Sequence, residues 1–166
     1  QLLLGRRNVA MQYSLECVIP YVSNIDAGTL ELVRSCGVEV RTSANLIQRF
    51  EAVWSPAQYD SHKRAQVKVD AVRRAAFEKV SSSLRANAAI TELEIKHFIL
   101  DAFETEGLCT DHGPIVAVNA NASNPHYEPN AAQHSPIQAG DLLLIDLWAK
   151  LKTPGAVYYD ITWTGF

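Results

Sequence analysis

Two aspartates stand in the most strand-like stretches of the chain, Asp146 in LLLIDLW and Asp160 in VYYDITW, on either side of a Lys-Thr-Pro-Gly turn. An antiparallel hairpin centred on Thr153 would set them directly opposite each other, with both side chains on one face of the sheet. Cβ atoms so placed lie about 4.5–5.5 Å apart, and like charges there destabilise the pair. By period-two alternation Leu144, Trp148, Tyr158 and Thr162 share that face, so the two carboxylates are expected to be partly desolvated. Such a pair needs a cation, a shared proton or a basic partner. Among cations, hard oxygen ligands suit Mg, Mn, Zn or Co, and two carboxylates at this separation can bridge two ions. A bulge in either strand gives a plainer alternative, in which one Asp turns to solvent and both are ordinary surface acids.

His126 is the candidate proton-transfer group. It lies in Asn-Pro-His-Tyr-Glu-Pro, where Pro125 and Pro129 stiffen the loop and the preceding asparagines favour backbone turns. His62 and His97 fall on charged helix faces, and His112 and His134 in polar loops; these four read as solvated. Cys17, Cys36 and Cys109 are odd in number and fit no metal or redox spacing, which points to buried, reduced thiols.

The elements that must carry these residues are legible from periodicity and caps. Ser55-Pro56 opens a long helix with Ala65, Val69, Val72, Ala76 and Val80 on its inner face. The capping box Thr91-Glu-Leu-Glu94 starts a second helix whose stripe of Ile95, Phe98, Ile99, Ala102 and Phe103 ends at Gly107. Short apolar runs follow: IVAVN at 115–119, then LLLIDLW and AVYYDITWT across a polar loop. The fold class is therefore α+β, two helices and then an antiparallel sheet. Ahead of it, strand 8–14, a helix over 26–37 capped by Asp26, and a returning strand VEVRTSANL are too few to bury a core alone. They read as the end of an α/β N-terminal domain at 1–52, followed by a second domain at 53–166. With no initiator Met, the chain is expected to be a piece of a longer protein.

The residues IVAVNANASNPHYEP, then GDLLLIDLWA, then DITWTGF together resemble the first half of the catalytic domain of the pita-bread metallopeptidases. That superfamily comprises Xaa-Pro dipeptidases (prolidases), aminopeptidase P, creatinase and methionine aminopeptidase. The resemblance covers roughly 55–166, and residues 1–52 look like the end of a creatinase-type N-terminal domain. It implies that Asp146 and Asp160 are the first two ligands of a dinuclear site holding Mn, Co or Zn, with Asp160 bridging both ions. His126 falls on the histidine that hydrogen-bonds substrate or the tetrahedral intermediate. The remaining ligands, a His and two Glu, come from the second half of the fold, outside this chain. The implied activity of the parent protein is hydrolysis of a peptide next to proline. Creatinase-like amidinohydrolysis and a non-catalytic binding or chaperone role are the alternatives. Three departures stand out: a longer Asp-to-Asp interval, Leu147-Trp148 after the first Asp where small residues are common, and Trp163 where Arg is common.

Composition narrows the partners. At 48% hydrophobic, 20% charged and net charge −3, with no basic stripe, the chain does not suit nucleic acid. No apolar run approaches the ~18 residues that span a bilayer, so no membrane partner and a cytoplasmic location are expected. An isolated half-domain would leave apolar strands uncovered, so the expected state is an inactive homo-oligomer that binds metal weakly.

Overall fold

The computed structural model describes residue 3 and residues 5–166, and the chain divides into two compact units, Gln1–Ser55 and Pro56–Phe166. In the first, β1 (Asn8–Met11) pairs in parallel with β2 (Glu39–Thr42), joined by α1 (Ala27–Ser35). Asp26 caps α1 by accepting from the Thr29 N–H at 2.9 Å. The strand expected over VEVRTSANL stops at Thr42. There the Thr42 hydroxyl accepts from Ala44 N at 3.1 Å and Ser43 N bonds Met11 O at 2.9 Å, which turns the chain into α2 (Ala44–Glu51). Among the described residues of this unit only Val22, Val38 and Ala44 are buried apolar groups, a thin core for a two-stranded sheet.

The second unit is built on α3 (Pro56–Arg85) and α4 (Glu92–Thr105). Ala65, Val69, Val72, Ala76 and Val80 are buried along α3, as their spacing requires. On α4, Thr91 caps the helix by accepting from Glu94 N at 3.2 Å, and its hydroxyl donates to Glu94 Oε2 at 2.9 Å. Gly107, at φ +69°, ends the helix.

The helices cover one face of a four-stranded antiparallel sheet: β3 (Leu108–Cys109), β4 (Ile115–Val118), β5 (Leu143–Leu151) and β6 (Tyr159–Gly165). β5 is central. It pairs with β6 along one edge, and with β4 and then β3 along the other. Its burial alternates without a break: Leu143, Ile145, Leu147, Ala149 and Leu151 are buried with the helices, while Leu144, Asp146, Trp148 and Lys150 take the opposite face. Burying an aliphatic side chain of this size stabilises by about 1.5–3 kcal/mol, so this parity is strongly enforced. No helix among the described residues is long and apolar enough to cross a membrane.

Candidate functional site

Both aspartates lie on the sheet face turned away from the helices, but they are not directly opposite. Asp146 stands across from Thr162, and Asp160 across from Trp148, so the acids are diagonal neighbours and the pairing has slipped by two residues from a hairpin centred on Thr153. The cause is the turn. Val157 N donates to Ser61 Oγ at 3.0 Å, and Tyr158 O accepts from His62 Nδ1 at 2.7 Å, so the end of the turn is tied to α3 rather than to β5. A carbonyl can only accept, which fixes the proton on His62 Nδ1. His62, expected to be solvated, is thus a structural tie. Along the β4 edge, the end of β5 pairs with β3, Lys150 with Cys109 and Leu151 with Leu108.

Asp146 is half-buried between Ile115 and Thr162, and the Thr162 hydroxyl donates to its Oδ1 at 2.7 Å. The Asp160 side chain sits at the exposed edge of β6, yet its surroundings partly desolvate the carboxyl. That desolvation, and then the charge of Asp146, raise its pKa above the usual carboxylate value. Diagonal neighbours on a ladder are about 7–8 Å apart at Cα, with Cβ atoms somewhat closer. Among the described residues neither acid has an ion-pair partner. Two hard oxygen donors on one face, repelling each other and without an ion pair among the described residues, fit a divalent ion. They are only part of a shell: no group of three or more His, Cys, Asp or Glu side chains converges among the described residues.

Asp146 opens onto a cleft of about 250 Å³. Its floor is Ile115, Ala117 and Leu144 from the sheet, and its wall is the segment Asn121–Pro125. His126 follows that wall directly and is exposed; its backbone N–H donates to Asn124 Oδ1 at 3.0 Å, an Asx turn of the kind the asparagines suggested. Leu142 and Asn119 lock the two ends of the wall and strand together, through Asn119 N to Leu142 O at 2.9 Å and Leu142 N to Asn119 Oδ1 at 3.0 Å.

Three further residues shape the site. Glu92, read from the sequence only as part of a capping box, is fully buried and gathers four donors behind the His126 loop: Val118 N, Asn121 Nδ2, Tyr127 OH and Ser135 N, at 2.5–3.0 Å. The signal was present: Glu92 falls in step with Ile95, Ile99 and Phe103 on the buried stripe of α4. Trp148 flanks Asp160, and its indole N–H donates to Asp111 at 3.0 Å, holding that carboxyl below its usual pKa. Trp163 lies on the other face of β6, with the Arg73 guanidinium 4.1 Å over its ring, so the replacement of Arg there leaves the acidic face untouched.

A sequence model of metallopeptidase family M24 matches residues 60–166. Solved structures of similar fold include X-prolyl aminopeptidase from Caenorhabditis elegans, described as a cytosolic enzyme with a di-nuclear active site, at TM-score 0.65 and 20% identity over 76% of this chain and 21% of that one. The prolidase of Pyrococcus furiosus matches at TM-score 0.59 and 18% identity, over 98% of this chain and 45% of that one. The prolidase of Thermococcus sibiricus matches at TM-score 0.58 and 23% identity, over 85% and 36%. This chain thus spans less than half the length of each. No curated protein matches.

Proposed function

The chain belongs to metallopeptidase family M24, and on that premise we propose that Asp146 and Asp160 are carboxylate ligands of a centre for two divalent ions, Mn, Co or Zn, in a peptidase acting next to proline. The observation that carries this reading is the pair itself: two acids on one sheet face, close enough for one to raise the pKa of the other, with no ion-pair partner for either among the described residues. Hard divalent ions take about six donors, so Asp146 and Asp160 supply part of a shell whose other members, by the resemblance, are a His and two Glu. When bound, such ions polarise a carbonyl and lower the pKa of a coordinated water.

The chain's own residues do the rest. Thr162 holds the Asp146 carboxylate in one orientation through Oδ1, leaving Oδ2 for a ligand bond. The raised Asp160 carboxyl must lose its proton before it can coordinate, so metal binding weakens as pH falls. Ile115, Ala117 and Leu144 give the cleft an apolar floor suited to a prolyl ring or another compact apolar side chain. His126, on the rim, is the group that hydrogen-bonds substrate, and Trp148 limits the space beside Asp160.

Mn titration of the 166-residue chain, followed by electron paramagnetic resonance, tests the ligands directly. Wild type should bind weakly, and Asp146→Asn and Asp160→Asn should each remove that binding. Equal Mn binding by wild type and both variants would end the assignment.

A further inference from the structure

We propose that Glu92 and Lys96, one turn apart at the start of α4, are positioning residues that clamp the His126 loop at the mouth of the cleft. The proposal rests on the functional reading above for its importance, but not for its geometry.

A fully buried carboxylate needs a reason, because an apolar residue in step with Ile95 and Ile99 would pack there without desolvating a charge. Helix capping is not that reason, since Thr91 supplies the cap and none of the Glu92 carboxylate's four donors is a backbone N–H of α4. What Glu92 does is join four separate points of the chain. Oε1 takes Val118 N at 2.8 Å, the end of β4, and Asn121 Nδ2 at 3.0 Å, in the wall of the cleft. Oε2 takes Tyr127 OH at 2.5 Å, the residue after His126, and Ser135 N at 2.6 Å, where the loop returns. Both oxygens are used twice, so the four lone-pair directions of the carboxylate are filled.

Lys96 holds the next two residues of the loop. Its Nζ donates to Glu128 Oε1 at 2.7 Å and to Pro129 O at 3.0 Å, and it keeps the Glu128 carboxyl below its usual pKa. The stem of Lys96 passes so close to Gly113 that a Cβ on that residue would lie 2.6 Å from Lys96 Cε. Apart from the burial of Tyr127 and Pro129, little of the loop's own backbone bonding reaches beyond it. Among the described residues, the backbone-to-backbone bonds of residues 124–133 outside helices and strands all close within 121–133: Asn124 to Asn121, Tyr127 to Asn124, and Asn130 with Gln133. His126 is therefore the exposed residue next to a buried anchor, and α4 sets its place.

The test is local hydrogen exchange on the metal-free chain, with His126 ring resonances as a second readout. Glu92→Gln keeps the shape but turns two acceptor sites into donors that face donors. Exchange of amides in 119–135 should rise at least about tenfold, the effect of losing one hydrogen bond to a charged group. Protection of α3 and β5 should hold, and the His126 ring signals should shift or broaden. Lys96→Met should do the same over 126–130, and Lys96→Arg should restore protection. If Glu92→Gln does not fold, Tyr127→Phe and the Lys96 pair carry the test. Unchanged loop exchange, or an equal rise across α3 and β5, would overturn the proposal by leaving Glu92 a core residue only. Because no metal is present, neither result depends on whether Asp146 and Asp160 bind an ion.

Discussion

Raising the pH loads the Glu92 hub with a second negative charge. Tyr127 is 4% exposed and donates to Glu92 at 2.5 Å. Burial first, and then the hydrogen bond and charge of Glu92, push its pKa from 10.0 up to about 12. A phenol whose pKa is raised by folding stabilises the native state fully below the unfolded value, and that contribution is lost as pH rises from about 10 to about 12. Two pKa units correspond to about 3 kcal/mol of alkaline loss, led by the cost of burying a phenolate, whereas the neutral-pH advantage over Phe is the hydrogen bond alone, ~1.5–3 kcal/mol for a charged acceptor. In urea unfolding at stepped pH, wild type should exceed Tyr127→Phe by roughly that amount at neutral pH, and the gap should close as the phenol ionises. Absorbance titration gives an independent readout: of six tyrosines, one late-ionising phenol should be missing from the variant. Tyr158 is also raised, by burial and then by Asp111, so comparison with the variant is what identifies Tyr127. Parallel stability profiles across the alkaline range would refute the hub.

Two further outcomes follow from the acidic face. Asp146→Asn removes one of the two causes that raise the Asp160 carboxyl, so its pKa should fall toward the ordinary value in a carboxyl NMR titration. Asp160 favours the fold when protonated, so the variant should also lose some of the relative stability that wild type gains as pH falls through that carboxyl's titration; an unchanged Asp160 curve would place the acids too far apart to interact. On the proposed function, in a protein that supplies the remaining ligands, His126→Ala should lower turnover of an Xaa-Pro dipeptide by about 10²–10⁴-fold, measured at saturating Mn, and near-normal turnover would remove His126 from the chemistry.

Local rules were enough to read α3 and α4, because each boundary is set by residues adjacent in sequence, whereas α2 was hidden inside a segment read as strand. Thr91 caps α4 by accepting from Glu94 N, and the inner face of α3 follows from spacing alone. The face shared by Asp146 and Asp160 was legible for the same reason: alternation along β5 depends only on parity. Their register was not, because Ser61 and His62 of α3 compete for the backbone of the turn from almost a hundred residues away in sequence. Glu92 was missed by a different route. Its position satisfied a familiar helix-start pattern, which hid the fact that an acid on an apolar stripe must find its donors elsewhere in the chain.

The tie between α3 and the turn makes a helix outside the acidic face the gauge for the spacing of the two acids. Side chains on a strand alternate with period two, so a slip of one residue would carry Asp160 to the helix side and expose the apolar face of β6. Slips of two keep the face and change only the offset. The hairpin therefore has discrete settings, directly opposed or diagonal, and Ser61 and His62 select the diagonal one. Substitutions at those two helix positions, or insertions of residue pairs between Lys152 and Tyr158, would retune the distance between the carboxylates without replacing either of them.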